Sequence, residues 1–509
     1  MGTTPESRVN ATTARTLSTV APPHPRPPPI DGSATLSSPK NESTALDTPD
    51  NSVHPVDQIP PATQLWPLSF QHVLAMYAGA VAVPLVLGGA MIEAGRMQPS
   101  DLPYLITADL LVAGIATILQ CVGFLRLGAR LPIVQGCTFT AVPPMIVIGV
   151  NYGPAAIYGS VLACGLFMFL MAPVFARILW MFPPLVTGSV ITCVGLSLIP
   201  VAANNISGGY GDDAGSVVNI SLGLFTLLVV LIIERFAPVA IARTSVLIGL
   251  AVGTIVAAFM GKVDLSGVGE ENWVGVATPF HFGFPEFPVS AVIALVLVGL
   301  VTLVEATGDF LAAGEIVGKK ATPRQIADGL RADGFSTMLG GVFNTFPYTA
   351  FAQNIGLLAM SRVRSRYVVA GAGAILVVLG LLPKLGAIIA AVPTPVLGGA
   401  TAALFGMIAA SGIKTLTKLE MNQNSVLVIA VSLTMGLLPV MHPTLFEQFP
   451  NWFGTVFNSG ITTGAFTAIL LNLLFFGTRR TPANAGVDLD DAEFAGVDAN
   501  VYKTGTERS

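Results

Sequence analysis

Charge is what this sequence has least of. Only 11% of its 509 residues are Asp, Glu, Lys or Arg, against about 25% in an ordinary soluble domain. Hydrophobic residues make up 52%, and the mean hydropathy is +0.72. A soluble globular fold is excluded. Cysteine is scarce too: Cys121, Cys137, Cys164 and Cys193 all fall inside apolar runs, where a small buried hydrophobe is the expected role rather than a disulfide or a metal ligand. No nucleophile, metal-ligand or phosphate-binding constellation is visible, so neither an enzyme nor a cofactor is expected, and nucleic acid is not an expected partner. The net charge of -4 sits largely in tails and loops and specifies no partner. The opening residues, including "APPHPRPPPIDGSATLSSPKNESTALDTPD", lack any apolar run able to pack. Residues 1–63 are therefore expected to be a disordered tail, and residues 478–509 a second one, both dispensable for the work of the middle. No apolar core of signal-peptide type opens the chain, so insertion is expected to begin with the first true span.

What the chain has instead is a succession of apolar stretches near the roughly 20 residues that a helix needs to cross a bilayer. Between residues 64 and 477 there are fourteen, beginning near Leu68, Pro103, Pro132, Tyr152, Pro184, Val218, Ile241, Pro288, Asp328, Pro347, Tyr367, Thr394, Gln423 and Trp452. With the N-terminus in the cytoplasm, Arg126, Arg130, Arg235, Arg243, Lys319, Lys320, Arg324, Arg362, Arg364, Arg366, Lys414 and Lys418 fall in internal loops, as the distribution of basic residues across membranes requires. Both termini are then cytoplasmic. Asn151, Asn204, Asn205, Asp212 and Asp213 fall in loops on the other side. "PLVTGSVITCVG" and "PVLGGATAALFG" share Pro184, Gly188 and Gly195 against Pro395, Gly399 and Gly406. That pairs the fifth span with the twelfth. Repeats of seven spans, an odd number, lie in opposite orientations, an arrangement that places a binding site at their interface near the midplane. The fold class expected is an all-α membrane protein of fourteen transmembrane segments in two inverted seven-span repeats.

Two segments depart from plain helix. "LPIVQGCTFTAVPPMIVIGV" in span 3 and "FPYTAFAQNIGLLAM" in span 10 each carry a polar, strand-favouring stretch and then a helix start: Pro143 and Pro144 suit a first turn, and Asn354 is a candidate N-cap. Short extended stretches followed by half-helices are expected in both, tolerated at depth only where they line a site. In "AVIALVLVGLVTLVEATGDFLAAGEIVG", Glu305 and Asp309 stand four residues apart and share a helix face, and Gly308 between them admits a close approach. Carboxylates in a bilayer are costly, by roughly 2.5 kcal/mol or more at a helix centre. A functional role is the first expectation; the alternative is pairing at a helix end near Lys319 and Lys320. His72 beside Gln71 reads first as a hydrogen-bonded support and second as a proton carrier. Phe139 is either lipid-facing filler or a stacking surface, and Glu315 a boundary residue.

"QNIGLLAMSR", with Gln353, Asn354, Gly356, Ser361 and Arg362, resembles the signature of the nucleobase-ascorbate transporter family, also called nucleobase:cation symporters of the second type; Ser361 stands where the signature has Thr. Gln71–His72, "QGCTF" ending at Phe139 and "VEATGD" with Glu305 and Asp309 extend the resemblance over most of residues 64–477. It implies a uracil-permease-like fold in which a core domain (spans 1–4 and 8–11) moves against a gate domain (spans 5–7 and 12–14), commonly in a homodimer. It also implies a plasma-membrane location. Gln353 and Asp309 are similar to the xanthine and uric acid permease branch, where uracil permeases usually have Glu and His.

For a xanthine or urate ring, an ionised Glu305 accepts from ring N–H groups and the Gln353 amide offers a donor and an acceptor to the opposite edge. Phe139 stacks on the ring face, and backbone N–H groups near Phe139 and Ala352 take its carbonyl oxygens. Glu305 or Asp309 carries the coupling proton, with His72 and Asn354 in support; Na+ is an alternative coupling ion. The rival readings are a uracil or other nucleobase symporter, an anion exchanger on the same fold, which a site with Glu305 disfavours, and a receptor without turnover, which leaves the midplane acids unexplained.

Overall fold

The computed structural model describes residues 54–477 apart from 176–181, 210–212, 352–353, 356, 359–363 and 420; the two expected tails lie outside them except for residues 54–63. The described chain is mostly helical. Pro55–Asp57 form one 3-10 turn, and α1 (Ala62–Glu93) follows directly on Pro61. At about 1.5 Å per residue, its 32 residues exceed the roughly 30 Å hydrocarbon thickness. Next come α2 (Leu102–Val122), β1 (Gln135–Cys137), α3 (Val142–Tyr152), α4 (Pro154–Met171), α5 (Pro184–Ser197), α6 (Ile199–Ser207), α7 (Val217–Phe236) and α8 (Ser245–Phe259). The later part holds α9 (Val289–Val317), α10 (Pro323–Val342), β2 (Tyr348–Ala350), α11 (Arg366–Gly380), α12 (Pro383–Ala390), α13 (Thr394–Leu416), α14 (Gln423–Met441), α15 (Asn451–Phe457) and α16 (Gly460–Phe476).

Helix ends follow local chemistry. Ser216, Ser365 and Asn422 accept backbone N–H groups at the starts of α7, α11 and α14. Thr322 and Gln325 bond reciprocally at the start of α10, a capping box. Gly318 closes α9 in the left-handed conformation at φ 76°, which glycine adopts without strain. Among the described residues eight helices are long and apolar enough to cross a membrane, or nine if α11 and α12, bent by 83° at their junction, count as one span. Phe139–Tyr152, Ser245–Phe259 and Gly460–Phe476 are shorter apolar helices. Asn151, Asn204 and Asn205, expected in loops, lie instead within α3 and α6, because the helices run on past the apolar core; Asp213 remains in a turn, paired with Lys262 at 2.6 Å.

With lipid tails as apolar as Leu, helices associate by close packing. α2 lies against α11, α4 against α10 and α5 against α13. At the first of these crossings Gly114 and Gly373 meet so closely that a Cβ on either would fall 2.6–2.8 Å from the other's carbonyl oxygen. α7 and α14 bury little of their surface, only 28% of their most apolar windows, so they are the helices most open to the surroundings.

Candidate functional site

The two interrupted segments meet each other. β1 and β2 form an antiparallel ribbon in the register Gln135 with Ala350, Gly136 with Thr349 and Cys137 with Tyr348. Thr138 N–H donates to Pro347 O and Phe351 N–H to Val134 O, both at 2.9 Å, so the ladder continues beyond the strands. Extended backbone in an apolar interior needs such pairing, since there is no water to take its N–H and C=O groups. β1, β2 and the residues around them are buried.

After β1 the chain turns at once into helix. Thr138 accepts from Thr140 N–H at 3.2 Å, capping a 3-10 turn over Phe139–Ala141, and α3 begins at Val142 with Pro143 and Pro144 in its first turn. After β2, Asn354 and Ile355 are again helical. Asn354 does not act as the N-cap that was expected. Its Nδ2 donates to His72 O at 3.0 Å and lies 3.2 Å from His72 Nδ1, while its Oδ1 has no partner among the described residues. An amide facing α1 gains two contacts on that helix in place of one on its own. His72 is buried at 2% exposure.

α9 packs against β2 and against the 3-10 turn that follows β1. Glu305 and Asp309 are half-buried on α9, and Gly308 between them is exposed although its neighbours Ala306, Thr307 and Phe310 are buried. A Cβ placed on Gly308 would meet no described atom within 4 Å. The helix therefore borders open space at the level of its two acids. Thr140 Oγ1 donates towards both Glu305 oxygens, at 3.4 and 3.5 Å, distances that make a weak forked bond. Asp309 has no hydrogen bond to a described residue, and neither acid is in an ion pair with a described Lys or Arg. Phe139 stands edge-on to Phe405 of α13, ring centroids 6.1 Å apart, and Phe351 abuts Gly79 of α1 and Gly136 of β1. Glu305 thus bonds the turn that carries Phe139, with Asp309 one helical turn further along α9, and His72 with Asn354 forms a separate bonded pair at the α1 side. Ala352 and Gln353 lie outside the described residues.

Several polar residues here were not singled out from the sequence. Thr140 was hidden by its neighbour Phe139. Asp109 of α2 and Asp333 of α10 are wholly buried acids; for Asp109 a carboxyl inside an apolar run was the available signal, as it was for Glu305. Asp333 Oδ1 accepts from Gln120 Nε2 at 3.2 Å; Asp109 Oδ1 accepts from Tyr348 Oη at 2.6 Å.

Helices that span, two that are broken at a shared ribbon, and acids at membrane depth beside an opening define a multi-pass membrane carrier. The family profile described as "Permease family" matches residues 63–445, and the chain belongs to this family, the nucleobase-ascorbate transporters. It is 46% identical to the nucleobase transporter PlUacP of Paenibacillus larvae, over 80% of this chain and 94% of that one. With the uric acid permease PucJ of Bacillus subtilis the identity is 45%, over 81% and 92%, and with the xanthine permease of the same organism 42%, over 80% and 93%. Among solved structures it is similar to the transmembrane domain of the cyanobacterial bicarbonate transporter BicA, with a TM-score of 0.54 and 16% identity, covering 79% of this chain and 99% of that one. It is also similar to SLC26A9, at 0.51 and 13%, covering 80% and 65%. At such identities the likeness shows the fold alone.

Proposed function

We propose that this chain imports an oxidised purine, xanthine or uric acid, by proton symport through alternating access. The observation that carries the proposal is the identity to relatives named uric acid and xanthine permeases, which runs the length of those proteins. The site is chemically suited to such a ring. Glu305 accepts from ring N–H groups, Gln353 reads the opposite edge, Phe139 stacks on a face, and backbone N–H groups near Phe139 and Ala352 take carbonyl oxygens. A proton is held at Glu305 or Asp309, which lack a cation among the described residues, while His72 and Asn354 fix the neighbouring half-helix to α1.

The reading extends to fourteen spans in two inverted halves, with spans 1–4 and 8–11 as the moving core and spans 5–7 and 12–14 as the gate. It also places both termini in the cytoplasm of a plasma-membrane protein that works as a homodimer. The packing partners support the repeat, because they come in matched pairs under an exchange of halves. α1 with α11 answers α9 with α4, α2 with α11 answers α10 with α4, and α7 with α13 answers α14 with α5. β1 and β2, in spans 3 and 10, pair with each other, as elements exchanged by one axis do. The test is uptake of labelled xanthine and urate by cells lacking their own purine carriers, in Na+ and in choline medium, with and without a protonophore. Uptake that survives collapse of the proton gradient removes the coupling; none at all by a chain present in the membrane removes the substrate class.

A further inference from the structure

α2 carries a polar stripe that the transport reading leaves unused. Asp109, Thr117 and Gln120 are all wholly buried, and with Ala113 they follow the spacing of one helix face. Every one of them is bonded to the ribbon or to the chain beside it. Thr117 Oγ1 accepts from Gln135 N–H at 3.0 Å and lies 3.4 Å from Gln135 O. Gln120 Oε1 accepts from Ala129 N–H at 3.1 Å, and its Nε2 reaches Asp333. Asp109 holds the other strand, where Tyr348 Oη donates to its Oδ1 at 2.6 Å and lies 3.3 Å from its backbone O. The same phenol is 3.0 Å from Thr345 Oγ1, and Tyr348 N–H donates to Thr337 Oγ1 at 3.0 Å. Thr117 thus fixes β1 to α2, and Asp109 fixes β2.

Tyr348 and Ala350 point to the same side of β2, with Thr349 to the other, and β2 is paired with β1, which leads at once into the turn of Phe139 and Thr140 beside Glu305. A tilt of β2 about its axis is passed through this ladder to that turn. We propose that Asp109 is a positioning residue for substrate recognition: through Tyr348 Oη it sets the depth and rotation of β2, and with them the place of the turn that carries Phe139 and Thr140. The acid acts here as a hydrogen-bond acceptor for the Tyr348 phenol. It does not touch substrate. The inference rests on the purine reading above.

The experiment measures xanthine uptake kinetics in the carrier-deficient cells for the full-length wild type, Asp109→Asn, Asp109→Ala, Tyr348→Phe and the Asp109→Ala/Tyr348→Phe pair. Amounts in the membrane are matched, and pH profiles are recorded from pH 5 to 8. Asp109→Asn keeps a carbonyl acceptor, so its KM stays within about threefold of wild type with the same pH profile. Asp109→Ala and Tyr348→Phe raise KM roughly five- to tenfold, as expected for a lost buried hydrogen bond, with maximal rate per molecule nearly unchanged. The double variant is no worse than either single one, because both remove the same bond. Unchanged KM in Tyr348→Phe, a substitution that removes one oxygen and keeps the ring, overturns the proposal. So does an Asp109→Asn protein that binds xanthine normally but loses uphill accumulation, which would make Asp109 a proton-holding group. If wild type takes up no purine, the purine reading falls and this proposal falls with it.

Discussion

Replacing Gly308 by alanine should stabilise the protein while impairing it. Gly308 lies in the interior of α9, and a Cβ there meets nothing within 4 Å among the described residues. The change costs no packing and relieves the backbone entropy of glycine, which is worth about 0.5–1 kcal/mol in a helix interior. If a purine lies against that spot between Glu305 and Asp309, the new methyl overpacks the complex by about 1–3 kcal/mol, equivalent to roughly a 5- to 150-fold rise in KM. Gly314→Ala, further along the same helix, is the control, because its Cβ would fall 2.8 Å from Lys319 O and 2.9 Å from Ala321 N, backbone atoms that cannot yield cheaply. The assay pairs thermal unfolding in detergent with xanthine uptake. Gly308→Ala should melt higher and transport less well, with Gly308→Val weaker still in transport; Gly314→Ala should melt lower. A Gly308→Val protein with wild-type KM would refute the reasoning, since no ring could then rest on that face of α9.

Glu305→Gln should abolish protonophore-sensitive accumulation of xanthine, with a weakened but measurable exchange of substrate across proteoliposome membranes; accumulation at the wild-type level would show that the proton is held elsewhere. Thr140→Val, which deletes the hydroxyl 3.4–3.5 Å from Glu305, should raise KM about two- to fivefold, a modest effect because the bond is long. Arg366→Lys should lower thermal stability by about 1–3 kcal/mol, because Nη1 donates to Cys121 O and Val122 O at 2.9 Å each while Nε faces Asp57 at 2.8 Å, and an ammonium cannot fork in that way. Burial pushes the Asp57 carboxyl up, but Lys319 and Arg366 outweigh it and hold it below its ordinary value of 3.8. Its contribution is therefore full above that value and lost as pH falls through the depressed one. Asp57→Asn should cost about 1 kcal/mol or less at pH 7, the group being partly exposed, and nothing in acid below the range where carboxylates ionise; thermal unfolding across pH reads both.

Local signals carried most of what could be read in advance. Pro143 and Pro144 mark the first turn of α3, and a strand-favouring run before a helix start marked both β1 and β2, because propensity and capping act within a few residues. The partnership of those two strands was not visible, since pairing between distant segments leaves no local trace. Asn354 was misassigned for a related reason: a side chain able to cap its own helix can equally reach another, and only packing decides that His72 is within range. Asp109 was overlooked beside Glu305 although both are acids in apolar runs, and Asp333 was masked by the charged Asp328 and Arg331, which pair with each other in the N-terminal half of α10. Thr140 gained its meaning from Glu305, a residue on a different helix.

The ribbon also constrains how the protein is made. When Gln135, Gly136 and Cys137 leave the ribosome, the strand that will satisfy them, Tyr348 to Ala350, has yet to be translated, and α3 through α10 must be synthesised in between. The nascent first half must therefore wait in the insertion machinery or in a provisional arrangement with its peptide groups wet. Final closure of the fold then belongs to a late, post-insertion step. Two separately expressed halves, cut in the segment joining α8 to α9, would each remain immature until they met.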